Sequence, residues 1–275
     1  MVLNSPDRGR KGPRFEIMIS RSKRMADTMN GRTIIVTGAG GNIGLAYCDA
    51  LVKEGANLVM ADLADLSPQA DKYRSEGGSA IAVQVDVADN DSTQAMARAA
   101  VQAFGRIDGI INNAGFFKNC TFGSFMDIPA EEWDRCFAIN VRGLWQCCKA
   151  VVPQMKEQGS GKIVNISSNT PYKGIPNFLH YVSSKAAIVG LSRSLAREVG
   201  PFNIQVNTLC PDLIPDADIE AKQGSQADMR TVAGRCLQRT QTPQDMVGAA
   251  LFLLSDGSDF ITGQSLLVNG GAYFL

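Results

Sequence analysis

Two residues that could exchange a proton stand four positions apart in the second half of the chain. Tyr181 and Lys185 belong to the segment His-Tyr-Val-Ser-Ser-Lys-Ala-Ala, and a helix would place them on one face. A lysine ammonium beside a phenol favours the phenolate, so the tyrosine would titrate below its ordinary value of about 10. Such a tyrosine can act as a general acid or base toward an alcohol oxygen. Because a Tyr-x-x-x-Lys pair is also common on solvated helices, its meaning depends on the segments that precede it.

Two serines precede this pair and could hold the reacting oxygen. Ser167 and Ser168 end an apolar run, and a loop broken by Pro and Gly separates them from the tyrosine. Because side chains alternate along a strand, we expect only one of the two to point toward the phenol.

A glycine-rich turn near the start of the folded region predicts a dinucleotide site. The apolar run Thr33–Thr37 leads into Gly38-Ala-Gly-Gly-Asn-Ile-Gly44 and then into a helical pattern. Glycines permit the tight turn and let the backbone approach a pyrophosphate at the helix N-terminus. Gly44 would let the helix pack closely on the strand. The alternative is an ordinary glycine-rich turn between a strand and a helix.

The next predicted strand, Ala56–Asp62, ends in a carboxylate. Asp62 lies 18 residues after Gly44, close to the spacing of about 20 at which an acidic residue accepts hydrogen bonds from the adenosine ribose 2′-hydroxyl. The same charge would repel a 2′-phosphate, and Lys53 is the only Lys or Arg between the glycine-rich turn and this carboxylate. We therefore expect NAD rather than NADP. An aspartate that caps the following helix is the alternative, and Asp65 is a rival on the same turn.

Strand and helix patterns alternate along the chain. Seven mostly apolar runs predict strands at Thr33–Thr37, Ala56–Asp62, Ile81–Asp86, Gly109–Asn112, Lys162–Ser167, Ile204–Leu209 and Ser265–Val268. Helical patterns fall between them, for example at Ser92–Phe104, Ala130–Gln158, Leu179–Glu198 and Pro243–Leu254. Near-continuous apolar runs are typical of parallel strands buried on both faces. The sequence therefore predicts an α/β fold, a single-domain doubly wound Rossmann fold with a seven-stranded parallel sheet, over residues 25–275.

Taken together, these motifs resemble the short-chain dehydrogenase/reductase family, in its single-domain branch, from about Gly31 to the C-terminus. Several other segments match landmarks of that family. They are Asp86-Val87 at the end of the third strand, Asn112-Asn113-Ala114-Gly115 at the end of the fourth, Ile139–Gly143 around Asn140, the serine strand Ile163–Ser168, and Phe260–Gln264 followed by Val268–Gly271. In this order and spacing the joint match is specific.

The resemblance implies a role for each candidate site residue. Ser168, which lies 13 residues before Tyr181, would orient the substrate oxygen in preference to Ser167, and Tyr181 would exchange its proton. Lys185 would lower the pKa of the phenol and hold the nicotinamide ribose, and Asn140 would support a water relay to solvent. The cofactor-binding residues implied by the resemblance are Gly38, Asn42, Ile43, Gly44, Asp62, Asp86, Val87, Asn113, Ala114, Gly115, Tyr181, Lys185, Pro211 and Ile214.

Three positions depart from the pattern of the family. Asn42 replaces the middle glycine of the turn, where asparagine tolerates a left-handed backbone better than most residues. Pro211 is followed by Asp212 instead of glycine, and Asp216 replaces a threonine that often contacts the nicotinamide amide. Asp216 could instead cap the next short helix. Ile214 should still cover the nicotinamide.

Cysteine usage points away from a metal centre. The seven cysteines include no Cys-x-x-Cys pair, and His180 is the only histidine. We expect no metal site and no disulfide framework, and buried thiols fit a reducing cytoplasm. His180 is expected to be a pocket-wall or helix-start residue, with a proton relay as the alternative.

The first 24 residues differ from the rest in charge. They hold seven Lys or Arg against two acidic residues, whereas the remainder holds 20 against 25. We expect a disordered basic tail over residues 1–24, arising from a start codon upstream of Met25. A nucleic-acid or membrane arm is the alternative, but neither partner is expected, and no run of 18 apolar residues occurs.

The substrate is predicted from the expected walls of the pocket. The walls would come from Phe116, Phe117, Asn169, Thr170, Tyr172 and Phe178 and from a lid between Leu213 and Cys236. Aromatic walls favour a hydrophobic or ring-bearing alcohol over a sugar, and the segments around Ser168 and Pro211 look most like aryl or heteroaryl alcohol dehydrogenases such as phenylethanol or pyridoxal dehydrogenases.

The expected function is an NAD-dependent alcohol dehydrogenase working mainly toward oxidation. An NADPH-linked carbonyl or acyl-carrier reductase and a non-catalytic NAD-binding protein stay open. The resemblance also implies a homotetramer, or a homodimer, that packs the helices of residues 130–158 and 179–198 against their mates.

Overall fold

Seven parallel strands form one sheet in the computed structural model, which describes residues 29–215 and 226–275. The strands are β1 (Thr33–Thr37), β2 (Asn57–Asp62), β3 (Ser79–Gln84), β4 (Gly109–Asn112), β5 (Gly161–Ile166), β6 (Ile204–Pro211) and β7 (Ser265–Val268). Their spatial order is β3-β2-β1-β4-β5-β6-β7. This is a single α/β domain of the Rossmann type, as the sequence predicts.

Helices connect the strands on both faces of the sheet. They are α1 (Asn42–Lys53), α2 (Ser67–Ser75), α3 (Asn90–Phe104), α4 (Ala130–Phe137), α5 (Leu144–Gln158), α6 (Thr170–Lys173), α7 (Leu179–Val199), α8 (Gln226–Ala233) and α9 (Gln244–Leu254). The ends of α3 show how the local sequence sets these bounds. The Asp89 carboxylate accepts a hydrogen bond from the Asp91 N–H at the start of the helix, and Gly105, with φ 76°, ends it.

Two apolar layers hold the helices on the sheet. Because side chains alternate along a strand, Ile34 and Val36 of β1 join the layer under α1 and α9, whereas Ile35 joins the layer under α3, α5 and α7. Both faces of the central strands are therefore buried, which explains why their sequences are apolar without alternation.

The sheet topology sets the place of the site. The chain runs outward from β1 to β2 and β3, and then returns to build β4 to β7 on the other side. In an open parallel sheet, ligands bind beyond the carboxyl ends of the strands at this switch point. The carboxyl ends of β1, β2, β4 and β5 carry the glycine-rich turn, Asp62, Asn112 and the two serines.

Two expectations about the elements need correction. Strand β3 covers Ser79–Gln84 rather than Ile81–Asp86, because its register on β2 pairs Ser79 with Asn57 and Gln84 with Asp62. Asp86 therefore follows the strand and does not end it. The expected continuous helix over residues 130–158 is interrupted by a π-helical segment, Ala138–Gly143, that contains Asn140.

Other expectations fall partly outside the described residues. Residues 1–24 and Asp216 lie there, so the expected disordered tail and the expected helix cap stay predictions. Among the helices of the described ranges, none combines the length and apolarity that a bilayer crossing requires.

Candidate active site

The glycine-rich turn brings strand β1, helix α1 and the end of β4 into close contact. A Cβ added at Gly44 would lie 2.1 Å from the Gly38 carbonyl oxygen, and one added at Gly38 would lie 2.8 Å from the Ala114 Cα. Gly38 also has a φ of +63°, which favours glycine. These two glycines are therefore required by the packing of the turn itself.

The start of α1 provides an anion site. Gly41 precedes the helix, no side chain caps it, and its first turn holds no acidic residue. The first backbone N–H groups of a helix have no intrahelical acceptor and attract anions. Asn42 begins the helix and is not among the residues with positive φ, so the left-handed backbone that the sequence analysis considered there is not needed.

Asp62 joins the end of β2 to this turn. One carboxylate oxygen accepts a hydrogen bond from the Gly40 N–H at 2.8 Å, and the other accepts one from the Ala64 N–H at 3.0 Å. The carboxylate therefore both holds the glycine-rich turn and borders the cleft beside it. Asp65, its rival in sequence, is exposed and bonds Ser67 of the following helix.

The end of β4 is fixed to the end of β1 by one threonine. The Thr37 hydroxyl accepts hydrogen bonds from the Asn113 and Ala114 N–H groups, each at 3.1 Å. The Asn113 amide donates to the backbone oxygens of Thr37 and Gly38, also at 3.1 Å. This bonding holds the segment after β4 beside the glycine-rich turn.

A cleft runs across the carboxyl ends of the strands as two adjoining cavities. The outer cavity, of about 510 Å³, includes Gly38, Asp62, Asp86, Val87, Asn113, Ala114 and Gly115 in its lining. The inner cavity, of about 260 Å³, includes Asn42, Ile43, Gly44, Asn113, Gly115, Ser168, Tyr181, Lys185, Pro211 and Ile214. The cavities share several residues, so the two form one elongated cleft. All the cofactor-binding residues implied by the sequence line it.

The inner cavity contains the tyrosine, the lysine and both serines. The Ser168 hydroxyl oxygen accepts the Thr170 N–H at 3.1 Å, and Ser168 lines the inner cavity together with Tyr181. The Ser167 hydroxyl instead donates to the Lys185 backbone oxygen at 2.7 Å. The two serines therefore differ as strand alternation predicts, and Ser168 is the one that meets the phenol.

The ionisation of the pair differs from the simple expectation. Burial raises the pKa of Tyr181 above its ordinary value, although the nearby Ser168 hydroxyl opposes the rise. Burial also lowers the pKa of Lys185 to about 8. The Lys185 Nζ lies 5.7 Å from the centre of the tyrosine ring and donates to the Ile166 carbonyl at 2.9 Å. Desolvation thus outweighs the expected effect of the lysine, and the raised pKa keeps the phenol protonated at neutral pH.

Asn140 lies behind the cleft and not in its lining. Its side-chain oxygen accepts the Phe116 N–H at 2.6 Å, and its amide donates to the Phe116 oxygen at 3.2 Å and to the Ser184 hydroxyl at 2.9 Å. A Cβ added at Gly115 would lie 3.4 Å from the Asn140 oxygen and 3.6 Å from the Lys185 Nζ. The asparagine therefore ties the segment after β4 to α7 beside the lysine, and π-helical segments such as the one around it are frequent at functional sites.

Asp212, the departure after Pro211, is neutralised by two cations. It accepts hydrogen bonds from the Lys173 Nζ at 2.6 Å and from the Arg235 Nε at 3.0 Å. Burial opposes ionisation, but the two cations hold the pKa of this carboxyl below its usual range. The Arg235 guanidinium also bonds the Leu213 oxygen at 2.8 Å. The extra acid is therefore part of a buried network that fixes the chain after β6.

The expected substrate walls are present in part. Phe117 and Leu213 line the inner cavity, and Phe116 lines the outer one. Phe178 is 2% exposed and lies beneath Phe117. The expected wall residues Asn169, Thr170 and Tyr172 are absent from the lining, and much of the expected lid lies outside the described residues.

Sequence reasoning missed two site residues. Lys118 lines both cavities, and only its position just after the aromatic pair that follows Gly115 signalled it. Arg235 had no signal, because its partner Asp212 is 23 residues earlier in the chain. His180, at the start of α7, is fully buried against Glu132 and is absent from the lining of the cleft.

The cleft fits an extended dinucleotide. Its inner part passes the uncapped start of α1, where a pyrophosphate would meet backbone N–H groups. The outer part ends at the Asp62 carboxylate, which suits ribose hydroxyls.

Comparisons with known proteins agree with this geometry. A family model described as enoyl-(acyl carrier protein) reductase matches residues 38–273. Oxidoreductase UcpA from Salmonella typhimurium is 36% identical over 253 residues, which are 89% of this chain and 95% of that protein. L-rhamnose 1-dehydrogenase (NAD(P)(+)) from Azotobacter vinelandii is 36% identical over 251 residues, covering 88% and 96%. The crystal structure of an NAD+-bound xylitol dehydrogenase superposes with a TM-score of 0.82 at 33% identity, covering 88% of this chain and 99% of that one. The chain therefore belongs to the short-chain dehydrogenase/reductase family of oxidoreductases.

Proposed function

We propose that this oxidoreductase is an NAD-dependent dehydrogenase that interconverts a hydrophobic or ring-bearing alcohol and its carbonyl compound. The observation that carries the proposal is that Ser168, Tyr181 and Lys185 come together in the lining of the inner cavity. When bound, the nicotinamide supplies the hydride chemistry. The protein supplies the proton, the orientation and the exclusion of water.

Tyr181 exchanges the proton of the substrate oxygen. Its buried phenol is protonated in the cofactor-free protein, which is the state needed to donate a proton to a developing alkoxide. For oxidation it must first lose that proton, and a nearby positive charge makes the loss easier. Lys185 can provide that charge, because a pKa of about 8 leaves it mostly protonated at neutral pH.

Ser168 and Lys185 hold the reacting groups in place. The serine hydroxyl is oriented by the Thr170 N–H and can donate to the substrate oxygen beside the phenol. The Ile166 carbonyl takes one of the three ammonium donors of Lys185, which leaves donors for the ribose hydroxyls. Asn140 keeps the wall at Phe116 and the helix of the lysine together, and we retain its proposed support of a water relay.

Asp62 supports NAD over NADP. Its carboxylate lies at the outer end of the cleft, between Gly40 and Ala64, where it would accept hydrogen bonds from a ribose and repel a phosphate. The relative from Azotobacter carries NAD(P)(+) in its name, so a direct comparison of the two cofactors is part of the test.

The aromatic wall supports a hydrophobic or ring-bearing substrate. Phe117 lines the cavity and packs edge-on against Tyr181, with ring centres 5.2 Å apart. Phe178 backs it and stacks on both Tyr181 and Phe122. A sugar or polyol is the second candidate, since relatives named for rhamnose and xylitol share about a third of the sequence.

Assembly and location follow as proposals. We propose a homotetramer, or a homodimer, in the cytoplasm, with no nucleic-acid or membrane partner. A surface groove between α4, α5 and α7 supports a protein contact, because Phe137, Val141, Trp145 and Leu191 line it and Trp145 is 48% exposed. Light scattering on the full-length protein measures the state directly.

The function is tested by the near-ultraviolet absorbance of NADH or NADPH. Purified protein is supplied with NAD or NADP and with aryl, cyclic, steroid and aliphatic secondary alcohols, sugars and polyols. We expect turnover with NAD on a hydrophobic alcohol, lost in Tyr181→Phe and kept in Tyr47→Phe. Tyr47 is a matched control because its hydroxyl is buried without a described partner, away from the cleft.

Each other outcome names a different function. A preference for NADP would overturn the role given to Asp62 and favour a carbonyl or acyl-carrier reductase. Turnover of sugars alone would replace the proposed substrate class. NAD binding without turnover on any of these substrates would favour a non-catalytic protein.

A further inference from the structure

A cluster of side chains with metal-ligand chemistry lies outside the cofactor cleft. Ligand atoms of Cys120, Glu132 and His180 all lie within 4.8 Å of one another. None of the three lines either cavity of the cleft. They come from the loop after β4, from α4 and from the second residue of α7, so only the folded chain brings them together.

One of the two ring nitrogens of His180 has no hydrogen-bond partner in the part of the chain that the structure describes. His180 is fully buried, and its Nε2 lies 2.8 Å from a Glu132 oxygen. Its Nδ1 is also buried and has no hydrogen-bond partner among the described residues. A buried polar atom without a partner is rare and marks a place where a water molecule or an ion can be missing.

A second thiol stands beside the first. The Cys136 side chain lies beside that of Cys120, and its Sγ lies 3.4 Å from the Asn140 amide nitrogen. Cys136 is therefore a candidate for a fourth ligand on the side of Cys120, outside the three ligand atoms that lie within 4.8 Å of one another.

Although the spacing of the cysteines predicts no metal site, we propose that Cys120, Glu132 and His180, with Cys136 as the fourth candidate ligand, bind a divalent cation of the Zn²⁺ class. Thiolate, imidazole and carboxylate are the ligands that Zn²⁺ takes in proteins, usually four in a closed tetrahedral site. The cysteine and histidine are 3% and 0% exposed, whereas the Glu132 side chain is 13% exposed and forms the outer edge. A cation entering there displaces the protons of the thiol ligands.

The cation would connect the wall of the substrate cavity to the catalytic helix. Cys120 follows the wall residues Phe117 and Lys118, and His180 directly precedes Tyr181. Glu132 already joins these segments, since it accepts the Thr121 N–H at 2.5 Å as well as the bond with His180. A metal ion bound here would hold the loop after β4 against the start of α7. This structural role is independent of which alcohol or cofactor the enzyme uses.

The test uses spectroscopy on the full-length protein after removal of metal with a chelator. Co²⁺ is added as the probe, because bound cobalt reports thiolate ligands through a charge-transfer band and tetrahedral geometry through visible bands. We expect one Co²⁺ per chain with both features, displaced by one equivalent of Zn²⁺, and metal analysis of the untreated protein should find zinc. Cys120→Ser should lose the charge-transfer band or sharply weaken it. Glu132→Gln, which keeps an acceptor for Thr121, should weaken binding by at least about 10-fold.

Matched controls separate this site from other thiols and from misfolding. Cys236→Ser removes an exposed thiol outside the cluster and should leave the cobalt spectrum unchanged. Circular dichroism and NAD binding of each metal-free variant show whether it folds. Absence of a thiolate band in the wild-type protein, or an unchanged band in folded Cys120→Ser, would overturn the site. The cobalt spectrum and the metal analysis do not require turnover. A negative result for the metal site is therefore distinct from a negative result for the proposed dehydrogenase activity.

Discussion

Replacing Lys185 by methionine is expected to stabilise the cofactor-free protein while removing a residue proposed for catalysis. The lysine is 5% exposed, and its Nζ is held by the Ile166 carbonyl. Burial lowers its pKa from an ordinary 10.5 to about 8, against weak opposition from nearby cysteines. The folded state therefore carries a penalty for the charged form that the unfolded chain does not carry.

The fall in the pKa of Lys185 sets both the size of the loss in folding stability and the pH range over which that loss applies. A fall of about 2.5 in pKa corresponds to about 3 kcal/mol in the free energy of unfolding. Below pH 8 the lysine is charged in both states, so the penalty is complete. Between pH 8 and 10.5 the unfolded chain binds more protons, so stability rises with pH and the penalty disappears.

Methionine keeps most of the length of the side chain and removes the charge. It also removes the hydrogen bond to the Ile166 oxygen, which offsets about 1 kcal/mol. The net expected gain near neutral pH is about 2 kcal/mol, or about 4–8 °C in Tm for a chain of this size.

The assay is urea unfolding of the cofactor-free protein at matched concentrations, near pH 7 and near pH 10. The gain from Lys185→Met should shrink at the higher pH. Lys162→Met is the control, because Lys162 is also buried but pairs with Asp259 at 2.6 Å, and its removal should give no gain. Equal or lower stability of Lys185→Met at neutral pH would refute the argument that desolvation dominates at this lysine.

Three further perturbations test other parts of the cleft. Asp62→Asn should lower the preference for NAD over NADP by about 10- to 100-fold in kcat/KM, since a hydrogen bond to a charged group contributes about 1.5–3 kcal/mol; an unchanged ratio would contradict its assignment to the ribose. Gly44→Ala should lower the free energy of unfolding by about 1–3 kcal/mol and weaken NAD binding in calorimetry, because its Cβ would meet the Gly38 oxygen at 2.1 Å. Arg235→Met should cost about 3 kcal/mol in urea unfolding, because Asp212 would stay buried with one cation of two. Adding Asp212→Asn should recover part of that loss, and additive losses would show that the two do not interact.

The bounds of the elements show the limit of local patterns. The sequence places all seven strands, because buried parallel strands are apolar runs between turns. It misplaces β3 by two residues, since its ends depend on which residues of β2 lie opposite. The π-helical segment at Asn140 carries no local signal, because the hydrophobic pattern continues through it.

For the candidate active site as well, local sequence spacing predicts part of the arrangement and the tertiary structure decides the rest. Spacing along the chain identified Tyr181 and Lys185, because residues four apart share a helix face. The glycines of the first turn and the position of Asp62 were also visible in sequence, since a strand, a turn and a helix fix their separation locally.

Only the tertiary structure decided the electrostatics of these residues. The pKa of Tyr181 is raised because the folded chain buries it, although its sequence neighbours predict the opposite. The charge of Asp212 is neutralised because the fold brings Lys173 and Arg235, both distant in sequence, against it. A sequence determines which groups a local element can present, whereas burial and long-range pairing determine their charge.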